Sequence, residues 1–388
     1  MAVLFAMTTW FSATAALPQL IETWRLSGSS AAWLTIAVQV GFVAGALISA
    51  TLTLPDILPP RRMILLGAVG AAAANGLLLL VDGPRGAIPL RLATGFFLAG
   101  VYPPALKSMA TWFRAGRGTG LGILVGALTL GSAAPHLING LGAVDWRLVV
   151  VATTGLTLIG GMLAEIAGSE GPLPFPRATF DPRQARLAFS ERGVRLTSLG
   201  YFGHMWELYA MWAWFVAFYS VVLSSHGDPA PVQGAAFAAF AVIAAGAAGC
   251  WVGGVLGDRW GRTRTTALSM VISGSCSLAI GHLVDASPWI VLLLGLVWGF
   301  WVVSDSAQFS TIVTEVADQR YVGTALTLQL AIGFLLTGVT IWLVPALVER
   351  VGWGWAFAAL APGPALGTWA MVRLGRSPEA ASIAGGRG

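Results

Sequence analysis

The chain has 388 residues, of which 56% are hydrophobic and 10% charged, and its mean hydropathy is +0.77. Soluble domains carry about 25% charged residues, so a soluble fold is excluded: it could not bury this much apolar surface. The net charge of +5 and pI near 9.8 do not indicate a nucleic-acid partner, because the basic residues fall between apolar segments and line no single face.

A helix crossing a bilayer needs about 20 mostly apolar residues. Twelve such segments are expected in order: 2–21, 31–54, 63–82, 88–113, 119–140, 147–166, 196–223, 234–256, 265–284, 289–313, 323–346 and 353–373. The first could pass for a signal peptide, but it lacks a basic leading region, and the set is complete only with it. One link is longer, 167–195, with four prolines and five arginines. It divides the chain into a six-span half (1–166) and a second six-span half (196–375), followed by a tail (376–388). Its second part is expected to form a short amphipathic helix at the membrane surface. Cys250 and Cys276 give neither zinc spacing nor a disulfide framework, and no metal, cofactor or catalytic residue is expected.

Lys and Arg accumulate in cytoplasmic loops. With both termini inside, the inner loops hold all the Lys and Arg except Arg25, Arg85, Arg91, Arg147 and Arg350. The expected location is a bacterial inner membrane with cytoplasmic termini, and the expected state is a monomer. Lys107 is expected to reach the inner surface.

The chain repeats itself. Gly95-Phe96 is echoed by Gly299-Phe300, Gly118-Thr119 by Gly323-Thr324, Trp146 by Trp353 and the loop acid Asp56 by Asp258. Ordered matches at nearly constant spacing indicate duplicated halves of like topology, the parallel-repeat plan that places a binding site between them near mid-membrane.

The stretch GVLGDRWGRTR, Gly254 to Arg264, joins the eighth and ninth spans. It resembles the G-x-L-x-D-R-x-G-R-[RK] loop of the major facilitator superfamily of membrane transporters. The match runs through Gly254, Asp258, Arg259, Gly261 and Arg262. It departs at Thr263, with Arg264 one step later. PDILPPRR, Pro55 to Arg62, is a degenerate counterpart, and RLATG, Arg91 to Gly95, resembles the family's fourth-span R-x-x-x-G. The resemblance implies an all-α membrane fold of twelve helices in two pseudo-symmetric halves. It also implies a gating role for the Gly254–Arg264 loop, in which Asp258 caps the start of the fifth span near Gly118 and holds the cytoplasmic side closed. The fifth span has neither the Gly-Asn-rich pattern of the family's nitrate transporters nor the Gly-Pro signature of its antiporters.

Ionisable groups at bilayer depth are costly and mark function by default. Glu207 lies mid-way along the seventh span, with His204 at i−3 on its face and Trp206, Tyr209, Trp212 and Trp214 around it. Asp305 lies in the tenth span within SDSAQFS, with Gln308 at i+3. Glu207 with His204 could equally be an internal pair that only pins helices, and Asp305 could simply bond to serines on a neighbour. His136 and Asn139 read as structural. Arg91 is either an interfacial anchor or a coupling residue, and Tyr102 sits beside the Pro103-Pro104 kink. The family's central cavity is lined by spans one, four, seven and ten, which implies Trp10, Ser12, Tyr102, His204, Glu207, Asp305 and Gln308 here. The functional expectation is a secondary transporter of a small solute, coupled to protons through Glu207. An uncoupled facilitator and a transport-incompetent sensor stand as alternatives. No G-x-x-x-x-G-K-[ST] loop is present, so ATP does not drive it directly.

Overall fold

In lipid every backbone polar group must be satisfied inside its own segment. The computed structural model answers this with helices throughout. It describes residues 1–113, 116–141, 145–173 and 180–388, and the backbone but not the side chain of Asp56. Arg114 and Arg177, two of the arginines placed inside, and the Asp56 carboxylate therefore lie outside the described residues.

Among these residues nine helices are long and apolar enough to cross a membrane. Three further passes are consistent with the twelve expected. The run Val322–Gly375 has 54 residues, about 80 Å of helix at 1.5 Å per residue. A hydrocarbon core is about 30 Å thick, so this run makes two passes, divided where Gly352 takes φ 78°. The first span is broken into Ala2–Ala6, Ser12–Ala15 and Leu17–Trp24, and the fourth into Pro84–Leu98 and Tyr102–Ala110, so neither counts as one long helix. The tenth is broken in the same way, into Pro288–Trp301 and Ser306–Val316.

The sequence echo reappears as packing. The second span (Gly28–Thr51) packs on the fourth, and the eighth (Pro231–Trp260) on the tenth. The third (Pro60–Gly76) packs on the sixth (Trp146–Ala167), and the ninth (Arg262–Ile280) on the twelfth (Pro362–Gly375). A side chain at Gly95 would overlap the Val38 carbonyl, and one at Gly299 the Val242 carbonyl. Likewise Gly45 faces the Phe96 carbonyl and Gly249 the Phe300 carbonyl. Both pairs recur at one interval of 204 residues (38 to 242, 45 to 249). Small residues allow such close approach where lipid gives no hydrophobic drive to association.

The halves meet along two seams. The fifth span (Arg117–Leu141) lies against the eighth, and the second against the helix Val322–Ala358. The first seam is glycine-lined, with Gly122 against the Cys250 carbonyl and Gly254 against the Gly118 carbonyl.

The link forms two short turns, Pro182–Gln184 and Ala185–Ala188, before the helix Arg192–Ser225 begins. Ala188 is buried with Val194, Val313, Val322 and Ala325. The Asp181 amide donates to Thr324 Oγ1 at 3.0 Å. The link is thus held against the ends of the tenth and eleventh spans.

Candidate functional site

A cavity of about 330 Å³ lies between the halves. Its walls come from the second, fourth, fifth, seventh, tenth and eleventh spans. It runs from mid-bundle, at Tyr209, Trp212 and Phe334, to the arginine-rich end, at Pro55, Lys107, Arg117, Thr314 and Gly323. The opposite end is stopped by rings from both halves. Trp10 packs on Tyr209 and Phe334 with centroids 5.9 and 5.6 Å apart, Phe42 on Phe334 at 4.7 Å, and Phe11 on Trp212 at 5.8 Å. This is an arrangement closed at one end of the bundle and open toward the other.

Of the expected cavity residues, Tyr102 and His204 line it. Trp10 belongs to the aromatic stop. Ser12, Glu207, Asp305 and Gln308 are buried outside the lining. Glu207 does not pair with His204 despite the i, i+3 spacing. Its Oε1 accepts from Trp298 Nε1 and its Oε2 from Ser273 Oγ, both at 2.8 Å, so it joins the seventh span to the ninth and tenth. His204 turns instead to the tenth span. Its Nδ1 lies 2.9 Å from Asp305 Oδ1, and its Nε2 shares a 2.8 Å hydrogen bond with Ser306 Oγ. The Asp305 contact is at ion-pair distance but off the N–H direction. Neither carboxylate oxygen therefore has an aligned donor among the described residues. The break before Ser306 is what points this acid across the bundle: Asp305 occupies the residue before the helix Ser306–Val316 without capping it.

Arg91 does not line the cavity. It is fully buried and fills the break in the first span. Residues between Ala6 and Ser12 leave carbonyls unserved by helix amides. Arg91 Nη1 donates to Thr9 O at 2.9 Å and to Ser12 Oγ at 3.1 Å, its Nη2 donates to Trp10 O, and its Nε reaches Leu34 O at 3.2 Å. No described carboxylate pairs with it. A broken helix is tolerated at membrane depth only where its freed groups find partners. Asn139, in the same way, donates to Ala15 O at 2.8 Å.

The stretch from Gly254 to Arg264 is hardly a loop. The eighth helix runs through Asp258 to Trp260, Gly261 turns the chain at φ 113°, and Arg262 opens the next helix. That φ favours glycine. Asp258 Oδ2 accepts from the Thr119 amide at 2.8 Å and from Thr119 Oγ1 at 2.9 Å, and Oδ1 from the Gly118 amide at 3.2 Å. An anion at these free amides is favoured by the helix dipole. Arg262 joins Asp258 at 3.1 Å and Gln308 Oε1 at 2.9 Å, and forks onto Glu315 at 3.0 and 3.1 Å. Arg259 and Arg264 are exposed. This network sits at the arginine-rich end while the cavity reaches the same end. The Asp258 contact therefore joins the halves along the seam of the fifth and eighth spans without sealing the cavity.

Three participants carried no sequence signal strong enough to single them out. Glu315 stands seven residues after Gln308, on the same helix face, and that spacing was the available clue. Asn75 accepts from Ser12 Oγ at 2.6 Å and donates to Thr154 Oγ1 at 3.0 Å. The tail folds back as a short turn, Pro378–Gly385, whose Ala384 amide donates to Glu315 Oε2 at 3.1 Å.

Comparisons with known proteins agree with this architecture. A bacterial homologue of the human lysosomal transporter Spinster, solved in an inward-facing and unoccupied conformation, superposes with a TM-score of 0.64 over 96% of this chain and 91% of its own, at 15% identity. At that identity the likeness concerns the fold alone. Among curated proteins none matches the chain significantly. The sequence profile of the Major Facilitator Superfamily matches residues 1–227. The duplicated bundle, the Asp258–Arg262 network and this profile lead to one conclusion: the chain belongs to the major facilitator superfamily, as a multi-pass membrane protein with a transporter fold.

Proposed function

We propose that the protein is a proton-coupled secondary transporter of a small solute, working by alternating access as a monomer in a bacterial inner membrane with both termini cytoplasmic. It carries no catalytic chemistry in this reading. The observation that carries it is the His204–Asp305 pair: a histidine on the cavity wall, backed by a buried carboxylate that lacks an aligned donor. Charge at this depth is costly. A proton taken up through the cavity onto this pair changes that cost, and closing the cavity requires that it be met. The proposed proton carrier thus moves from Glu207 to Asp305, because Glu207 has a donor on each oxygen and no partner on the cavity wall, whereas Asp305 stands directly behind His204, which lines it. The aromatic stop around Trp10 and Tyr209 is the proposed outer gate. Separation of the halves there, with closure of the arginine-rich end, gives the alternate state.

The test is accumulation of solutes by proteoliposomes with and without an imposed pH gradient. Asp305→Asn should abolish gradient-driven accumulation and retain exchange of solute at equal pH. Full pH-driven accumulation by folded Asp305→Asn overturns the coupling, and exchange with no response to pH in the wild type makes the protein an uncoupled facilitator. Two carboxyls at the arginine-rich end, Asp318 and Glu379, do not confuse the reading. Asp318, hydrogen-bonded by Arg320, is held down at about 2, and Glu379 is lowered by Ser377. Both stay ionised above the ordinary carboxylate range and lose their charge only in stronger acid, so a response near neutral pH does not come from these two.

A further inference from the structure

We infer that the central cavity takes a small amphipathic organic anion, an apolar body carrying one acidic group. This rests on reading the cavity as the transporter's substrate site. At about 330 Å³ it lies at the small end of ligand cavities, which run from about 300 to 1,000 Å³. The sequence offered two mid-membrane acids as partners for a cation, and neither lines the cavity. Glu207 is occupied by Trp298 and Ser273, and Asp305 stands behind His204. Among the described residues the ionisable groups on the wall are His204, Lys107, Arg117 and tyrosines, and no carboxylate is present. Lys107 already donates to the Pro55 carbonyl at 2.7 Å, so the argument uses Arg117. Its Nε donates to Phe113 O at 3.2 Å, and its side chain forms part of the mouth. A cationic solute would lose water here and meet no carboxylate among the described lining residues, whereas an anion finds a guanidinium.

A second observation comes from the closed end. Trp212 lines the cavity, is fully buried, and its indole N–H has no partner among the described residues. An indole only donates. This buried N–H lies at the opposite end of the cavity from Arg117 and brings no charge to the wall, so the closed end receives the apolar body while the acidic group faces Arg117. Tyr209 and Phe334 beside it supply faces for the apolar body.

The experiment uses three probes with one body: 4-phenylbutyrate, 4-phenylbutanol and 4-phenylbutylamine. Each is titrated onto the purified full-length protein in nanodiscs, read by tryptophan fluorescence and by melting temperature. The butyrate should bind at least about tenfold more tightly than the amine. Arg117→Gln should remove that preference and leave alcohol binding unchanged, which also reports the fold. Trp212→Phe keeps an aromatic face at the closed end and should leave the preference for the butyrate in place. Equal or tighter binding of the amine, no binding by any probe, or a preference untouched by Arg117→Gln in protein that still binds the alcohol overturns the inference. Flux of the same probes into proteoliposomes separates the two readings. Anion-selective binding with no flux of any probe sinks transport and supports the anion site, and flux of the amine in preference to the butyrate supports transport and sinks the anion site.

Discussion

Asp258→Asn isolates the carboxylate that ties the eighth helix to the start of the fifth. Four donors converge on its two oxygens: the Gly118 amide, the Thr119 amide, Thr119 Oγ1 and Arg262 Nη1. An asparagine keeps one acceptor oxygen. Turned toward Gly118 and Arg262 its NH2 faces two donors; turned toward Thr119 it faces one amide donor and a hydroxyl that can accept, so at least one hydrogen bond is lost and a donor meets a donor in either orientation. Hydrogen bonds to a charged group contribute about 1.5–3 kcal/mol each, and the lost charge at a helix start adds about 0.3–1 kcal/mol. The Asp258 side chain is 17% exposed, so water recovers part of this, and Arg262 stays held by Glu315 and Gln308. The expected net loss is about 3 kcal/mol, read from equilibrium unfolding of purified protein in mixed micelles. Thr119→Val removes only the hydroxyl and should cost about 1 kcal/mol in the wild type and less in Asp258→Asn. An Asp258→Asn protein within about 0.5 kcal/mol of wild type, or two losses that simply add, refutes the reasoning.

Glu207→Gln should cost less than about 1 kcal/mol, since the amide oxygen can accept from Trp298 while its NH2 donates to the Ser273 hydroxyl, which can also accept. The folded variant should keep pH-driven accumulation; losing it while retaining exchange returns the proton to Glu207. Gly95→Ala and Gly299→Ala each drive a methyl into a backbone carbonyl of the neighbouring helix. Both should destabilise by about 1–3 kcal/mol, and a neutral result at either one breaks the equivalence of the halves. A tag following Gly388 and a protease site placed in the 167–195 link should both be protected in intact cells. Cleavage or labelling from outside reverses the proposed orientation.

The order and extent of the spans were legible in the sequence because they answer to a solvent. Lipid rejects charge and unsatisfied backbone wherever it meets them, so hydropathy alone places the fifth span at 119–140 and the structure extends it only to Arg117–Leu141. The duplication was legible too, since Gly95 and Gly299 recur wherever the same two helices must touch. Asp258 was expected as a cap on the fifth span through the resemblance of the Gly254–Arg264 stretch to the family's loop, and the free amides at that helix start favour an anion. The partners of the buried polar groups were not legible. Spacing put His204 and Glu207 on one face, yet His204 meets Asp305 and Glu207 meets Trp298. Arg91 read as either an interfacial anchor or a coupling residue, and neither reading pointed to the break it closes in a helix some 80 positions earlier. Glu315 drew no notice, yet it holds Arg262 by a fork. The charge character of the cavity likewise followed from which acids turned away from it. Periodicity fixes which residues share a helix face, but a partner on another helix depends on how far each helix is rotated, where it breaks and how closely glycine lets two backbones approach. Those quantities are set jointly by all the packed helices, so only the tertiary structure decides them.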